Sequence, residues 1–533
     1  MSLSPDIAIT STAVFTGTAV EPMPLAILIS DNKIINVVSK SELQSFISKK
    51  TRVYDFGDKL VMPGFHDFHI HLLLGSMLKN SVDLSHAKSA KEVTQLVREY
   101  AAAHPNVPFI IGSGWDNNAW ADKHTVHKNY LDDAVSDRPV IIYQAELHSV
   151  WINSAMLELA GINQATANPD FGEVVKDQDG EPTGLLIEHA VGLVTEALPM
   201  DTTMKEQLLE QFLSEAAKYG VTAVHDLLRL PEMSTEEASL YADFEKRGKL
   251  SARIHFVAPL NGDLTEATRL RNSYHSNMVQ FTGFKQFIDG VISSYTAYVL
   301  EAYSNKPDTT GGTVYPEELL RKWTIEADRE NFRVRFHCIG DRAVKFALDT
   351  FEEAIKQNGK RDARHAIEHI ELIQAVDIPR LHELGVLASI QPEHLNGSSY
   401  EVYEDLIGKE RMERYMLHQT LQDNGATLVY GSDYPVVGLN PLAGIYRAVT
   451  RLDDQQVAWN KEEKLSLSDA LKAYTYAPAY GSFRENELGT IETGKLADII
   501  ALDRDLFAVP AHEIQDTNVV FTMVDGKIVY QAE

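Results

Sequence analysis

Short apolar runs alternate with amphipathic stretches over most of the chain. Residues 221–225 follow a helical pattern at 205–219 that stops at Gly220, and 284–288 follows another helical stretch. Residues 333–336 follow 316–331, 366–369 follow 343–356, 386–390 follow 377–384, and 427–431 follow 410–423. A further buried run, 59–63, leads into residues 64–72. Repeated αβ units of this length predict a parallel sheet, and at this size a closed (β/α)8 barrel. The two ends of the chain read differently. Residues 7–15, 25–29 and 33–38 are short β-rich runs, as are 497–502 and 519–524, with Asp525-Gly526 turning into 527–530. They predict a small β-sandwich built from 1–61 and 485–533, with the barrel at 62–484. Residues from about 73 to 215 are too long for one βα unit. Strand patterns at 109–113 and 140–144 and a hairpin at 172–184 predict an α/β insertion there.

Composition narrows the class. Of 533 residues, 44% are hydrophobic and 23% charged, which suits a globular chain with a sizeable core. No apolar stretch approaches the roughly 20 residues that span a bilayer, and the first residues lack a secretory pattern. Cys338 is the single cysteine, so no internal disulfide can form, and a cytoplasmic location is expected. A net charge of −27 argues against nucleic acid or anionic membrane as partner. A small-molecule substrate is the expected partner, and a homodimer the default assembly.

The chemistry concentrates at predicted strand ends, where barrels carry their catalytic groups. "GFHDFHIHL" (64–72) places His69 and His71 two residues apart, on one face of an extended strand, where two imidazoles can share an ion. Lys285, His337 in "RVRFHCIGD", His369 in "HAIEHIEL" and Asp433 in "LVYGSDYPV" stand in or just after four more strands. Each histidine alone can be a core residue; the set in this order points to a metal site. Imidazole and carboxylate donors suit Zn²⁺, with Mn²⁺, Fe²⁺ and Ni²⁺ open to the same donors. His66 reads as packing and Asp67 as an acceptor for a ligand imidazole. His225 reads as core or a supporting residue, and Arg342 as a local ion pair with Asp341.

The order of these motifs resembles the amidohydrolase superfamily, a (β/α)8 barrel flanked by a small sandwich. "VMPGFHDFHIHL", "HCIGDRAV", "IEHIEL", "GSDYPV", "GIYRAVTR" and "LGTIETGKLADIIALDRDLF" are similar to blocks of its YtcJ-like metal-dependent hydrolases, a branch that includes N-substituted formamide deformylases. The resemblance implies His69 and His71 on a more buried ion, His337 and His369 on a more exposed one, and a carboxylated Lys285 bridging two Zn²⁺ ions. It makes Asp433 both ligand and proton shuttle. It also implies substrate contacts from Trp115 in "GSGWD", from His148, Trp151 and Asn153 in "LHSVWINSAM", and from His394 in "SIQPEH", with packing as the alternative for each. Lys285 has a simpler alternative, an ion pair with Asp289. Where many members carry arginine after "DG", this chain has Ser294 and Tyr295. The implied activity is hydrolysis of an amide or related C–N bond by metal-bound hydroxide. The alternatives are lactone hydrolysis or deamination on the same fold, and a non-enzymatic scaffold, which would have lost its ligands.

Overall fold

Eight parallel strands form the centre of the molecule: β1 Phe65–Ile70, β2 Val221–Asp226, β3 Arg253–Pro259, β4 Val279–Phe287, β5 Val334–Cys338, β6 Ala366–His369, β7 Leu387–Ile390 and β8 Thr427–Tyr430. The computed structural model describes residues 5–532 except 80, 118, 119, 121–125, 196, 199, 228–235 and 398. Each strand pairs with the next in chain order. The ring is completed just past β8, where Asp433 N–H donates to the His69 carbonyl (2.7 Å) and His71 N–H to that of Tyr434 (2.7 Å). A glycine is required at this seam: a β-carbon on Gly431 would lie 2.5 Å from the His69 backbone nitrogen. The strands are buried on both faces, which is why most read as unbroken apolar runs.

Three strand expectations are corrected. The run at 59–63 does not enter the barrel: Leu60–Pro63 pairs with Ile499–Leu502 in the terminal sheet, and β1 begins after Gly64. β3 was not anticipated, because Arg253 and His255 interrupt its apolar pattern. Both are buried, Arg253 by a two-pronged contact with Asp498 (2.8 Å each). β4 starts five residues earlier than expected, at Val279, since half-buried Gln280 and Thr282 mask its beginning; Lys285 therefore stands near the strand's end. One helix is also corrected. The stretch 410–423 is broken into Lys409–Met412 and His418–Asp423, because Met416, with φ 51°, turns its N–H to the Glu371 carbonyl (2.9 Å).

The terminal strands make one eight-stranded sheet, with Ile7–Val14 and Leu60–Pro63 at its middle and Val519–Val524 and Lys527–Gln531 at one edge. It closes over its own core, since Tyr54 and Phe56 from one part meet the Phe521 ring from another at 5.5 and 5.2 Å. A second sheet of six strands, between Val82 and Glu188, lies in the chain between β1 and β2. Helix Thr202–Lys218 then returns to the barrel, capped by Asp201 and packing Leu209, Phe212 and Ala216 into the barrel core. The six-stranded sheet matters for function because the turn after Val140–Gln144 and the end of Pro182–Glu188 border the barrel mouth.

Candidate metal centre

The β1 pleat and the β8–β1 seam together build the first cluster. His71 Nε2 and His69 Nε2 lie 3.0 and 3.2 Å from Asp433 Oδ1, all three side chains being buried. Donor atoms so spaced can share one ion at bond lengths of about 2.0–2.2 Å. Asp433, with φ 62°, also presents Oδ2 to His394 Nε2 at 3.5 Å, and His369, His394 and Asp433 form a second group of converging donors. His369 has φ 75° and the β-branched Ile370 beside it φ 51°, so strained backbone gathers at this mouth. The His369 ring lies 4.5 Å from that of His337 and 5.1 Å from that of His69. Lys285 extends into the same cavity; its amine is buried, has no hydrogen-bond partner and sits 5.1 Å over the Phe287 ring.

Protonation favours metal binding. Burial pushes His71 down to about 4 against the pull of Asp433, and burial also holds His337 and His369 well below the usual imidazole range. Neutral imidazole is the ligating form. Burial opposes charge on Asp433, yet His69 and His71 hold its carboxyl well below the ordinary value. Burial lowers the Lys285 amine to about 8. His71 Nδ1, His369 Nδ1, His394 Nε2 and the Lys285 amine are enclosed without hydrogen-bond partners. Buried polar atoms of this kind call for a partner, and a divalent ion fits the nitrogens turned towards Asp433, though not His71 Nδ1, since that ring turns Nε2 to Asp433.

Carboxylates stand behind two of these imidazoles. His69 Nδ1 meets Glu368 Oε2 at 2.9 Å, while Glu368 Oε1 accepts from Arg335 Nε at 2.7 Å. Burial works against ionisation of Glu368, but Arg335 and His69 outweigh it and keep the carboxyl well below its usual range. Asp289 faces His337 Nδ1 at 3.3 Å and accepts backbone N–H groups from Tyr298, Ile339 and Gly340. Carboxylate–histidine pairs of this kind fix ring tautomer and orientation where an imidazole holds a metal. They correct two expectations. Asp67 accepts the backbone N–H of His69 and Ser432, not an imidazole, and Asp289 supports His337 rather than pairing with Lys285. Arg342 stacks over Tyr298 instead of pairing with Asp341, which accepts the N–H of Leu300.

The expected substrate contacts divide. His394 and His148 line the cavity. His148 Nδ1 meets Glu188 Oε2 at 2.8 Å, its ring 5.8 Å from that of His337, and Glu188 sits at φ 51°, ψ −128°. Trp115, Trp151 and Asn153 do not reach the cavity. Trp115 donates to the Ile142 carbonyl (3.1 Å) and packs against Trp151 at 5.9 Å. Asn153 caps helix Ser154–Leu159 and bonds Val135, Arg138 and Val140. All three serve the interior of the six-stranded sheet. Sequence reasoning missed Glu368, Glu188, Glu146 and Glu371, all buried or half-buried at the mouth. Glu368 and Glu371 flank His369 in "IEHIEL", which was the available signal. Burial pushes Glu146 up to about 7 and Glu371 up to about 8.

Fold and site together define a (β/α)8-barrel enzyme of the metal-dependent hydrolase class. The chain belongs to the amidohydrolase family: the profile described as "Amidohydrolase family" matches residues 52–530. It is 31% identical to Protein LONG AFTER FAR-RED 3 of Arabidopsis thaliana, over 98% of this chain and 91% of that one. It is 25% identical to N-substituted formamide deformylase of Arthrobacter pascens, over 99% and 98%. An uncharacterized metal-dependent hydrolase from Pyrococcus horikoshii OT3 superposes with a TM-score of 0.76 at 25% identity, covering 95% of this chain and 99% of that one. Among the described residues no helix is long and apolar enough to cross a membrane.

Proposed function

We propose that the protein hydrolyses an amide or related C–N bond of a small molecule, using divalent ions, zinc in the simplest case. His69, His71 and Asp433 would hold the more buried ion, and His337 and His369 the more exposed one. Lys285, carboxylated on its amine, would bridge them. The observation that carries the reading is the convergence of two imidazole nitrogens on one oxygen of an ionised Asp433 while its other oxygen faces His394. Kinship with a named formamide deformylase and with a metal-dependent hydrolase supports it.

When bound, such ions acidify a water to a pKa of roughly 7 and polarise the scissile carbonyl. The chain's own residues do the rest. Asp433 takes the proton from the attacking water and carries it to the leaving nitrogen, which must be protonated because an amide anion is a very poor leaving group. His394, beside Oδ2, lies on the path of that transfer. Glu368 and Asp289 keep His69 and His337 in the tautomers that present Nε2 to the cavity. Lys285 reacts with CO₂ through its free amine, whose lone pair forms the N–C bond as a proton leaves, and its burial favours that uncharged form.

The test is elemental analysis of the purified protein followed by turnover of N-formyl, N-acyl and cyclic amides by the metal-loaded form. Metal with amide turnover is expected. Turnover of lactones or aminated heterocycles with no amide cleavage would replace the reading. Density for an ordinary amine on Lys285 in metal-containing crystals would remove the bridge.

A further inference from the structure

The two oxygens of Asp433 face different partners. Oδ1 lies by His69 Nε2 and His71 Nε2, whereas Oδ2 faces His394 Nε2 at 3.5 Å. His394 comes from the short helix Pro392–Asn396 that follows β7, and its buried side chain lines the cavity. Its ring lies nearly parallel to that of His369, at 14° with 5.7 Å between centroids. His369, His394 and Asp433 each offer a donor atom within 4.8 Å of the other two.

The separation of His394 from Asp433 is informative. At 3.5 Å it exceeds the roughly 2.7–3.2 Å of an N–H···O hydrogen bond, and His394 Nε2 is enclosed without a hydrogen-bond partner. Two atoms each about 2.1 Å from a tetrahedral ion lie about 3.4 Å from each other. The pair is therefore spaced as two ligands of one ion are. A count of donors points the same way. His337 and His369 give the exposed ion two protein donors, and Lys285 adds a third only once carboxylated. His369, His394 and Asp433 give three with no modification, and one of them is a carboxylate.

We propose that His369, His394 and Asp433 Oδ2 form a second seat for the exposed divalent ion, with His394 as a ligand. An ion so placed occupies the two groups assigned to proton transfer, so metal there and turnover exclude each other. The inference rests on the two-ion reading above but not on the bond cleaved. Zn²⁺ is titrated against a competing chelator into metal-free Lys285→Met, which cannot be carboxylated, and into Lys285→Met/His394→Ala. Elemental analysis counts the bound ions. Two per chain are expected in Lys285→Met, and in the double variant the second should weaken by about 100-fold or more, beyond the 10–100-fold of a supporting partner. A smaller loss, or a single ion in Lys285→Met, overturns the seat. Should the variants fail to fold, wild-type crystals soaked in excess Zn²⁺ decide: anomalous density bonded to His394 Nε2 and Asp433 Oδ2 upholds the seat, and none there overturns it. Amide turnover is measured separately. A His394-dependent ion in a protein that cleaves no amide upholds the seat and removes the bond assignment; amide cleavage without such an ion does the reverse.

Discussion

At the mouth of the barrel His69 and His71 converge on Asp433. Deeper in the same interior His66, His225 and His255 lie with their rings nearly parallel, at centroid separations of 5.1, 5.2 and 4.7 Å. Both groups bring three potential donor atoms within 4.8 Å of one another, and all six residues are buried. Their surroundings differ in charge. The mouth has a carboxylate as a member, with Glu368 behind His69. The deeper group has no carboxylate member, and Arg253, Arg333, Arg335 and Arg484 act on its imidazoles. Arg253, Arg335 and Arg484 have acidic partners, but Arg333 spends its Nη1 on the Gly481 carbonyl, and burial and Arg335 push it down to about 9. A dication entering there would meet positive charge. Histidine proximity therefore does not define a metal site; the sign of the field around the imidazoles does.

The sharpest way to break this comparison is to strip each cluster in turn. His69→Ala/His71→Ala is expected to lose the bulk of its metal and all measurable activity, whereas His225→Ala should keep the wild-type metal content. Elemental analysis of both proteins decides it, and equal loss from both would erase the distinction. Next in size is the shuttle. Asp433→Asn should lower kcat by about 10²–10⁴-fold, the range of general acid–base groups, while retaining most of its metal. Wild-type kcat on an identified amide would rule the shuttle out.

The two clusters are coupled, which gives a third prediction. A hydrogen-bonded path runs from His69 through Glu368 and Arg335 to His225, and from His225 Nε2 to Ser482 at 2.8 Å. Glu368→Gln keeps the shape but removes the charge that both His69 and Arg335 use. Metal affinity is expected to fall about 10–100-fold, and stability by about 3–5 kcal/mol because Arg335 is left buried and unpaired. Chelator competition and denaturant titration read the two separately; unchanged metal affinity would make Glu368 a structural partner of Arg335 only.

The mouth was legible in the sequence where chemistry follows strand ends. His69, His71, His337, His369 and Asp433 stand at the C-terminal ends of β1, β5, β6 and β8, and the period-two rule placed His69 and His71 on one side; Lys285 read as standing at a strand start and lies near an end only because β4 begins at Val279. The deeper cluster was not legible. His66 lies out of step with His69, and His255 belongs to β3, the strand that its own polar residues concealed. Trp115, Trp151 and Asn153 mislead for a different reason: a motif near a pocket in sequence reports on packing of the sheet beside the pocket as readily as on contact with a ligand. The glutamates at 146 and 188 could not be told from surface acids in a chain of net charge −27, because burial depends on neighbours far along the chain; those at 368 and 371 were marked only by their place beside His369.

The smallest effect concerns the protonation of the deeper cluster. Burial, with Arg484 and Arg253 beside it, pushes His66 down to about 3, against about 6.5 in an unfolded chain. Between those values the unfolded state binds the extra proton and the folded state does not, so His66 makes stability rise with pH. Its neutral state is maintained without cost above pH 6.5, and stability is lost as the pH falls through that value towards 3, at up to about 1.4 kcal/mol per pH unit. His225 and His255, also held well below the usual range by burial, add in the same direction. His66→Phe keeps a ring in the stack and removes the titration. Denaturant unfolding of the chelated proteins at pH 7.5, 6 and 5 isolates the difference, since the mouth histidines are then metal-free in both. The variant is expected to lose about 1 kcal/mol less than wild type between pH 6 and 5. Equal losses would mean that His66 takes up its proton in the folded state near the ordinary pH, and that the guanidinium groups around it do not set the field that separates the two clusters.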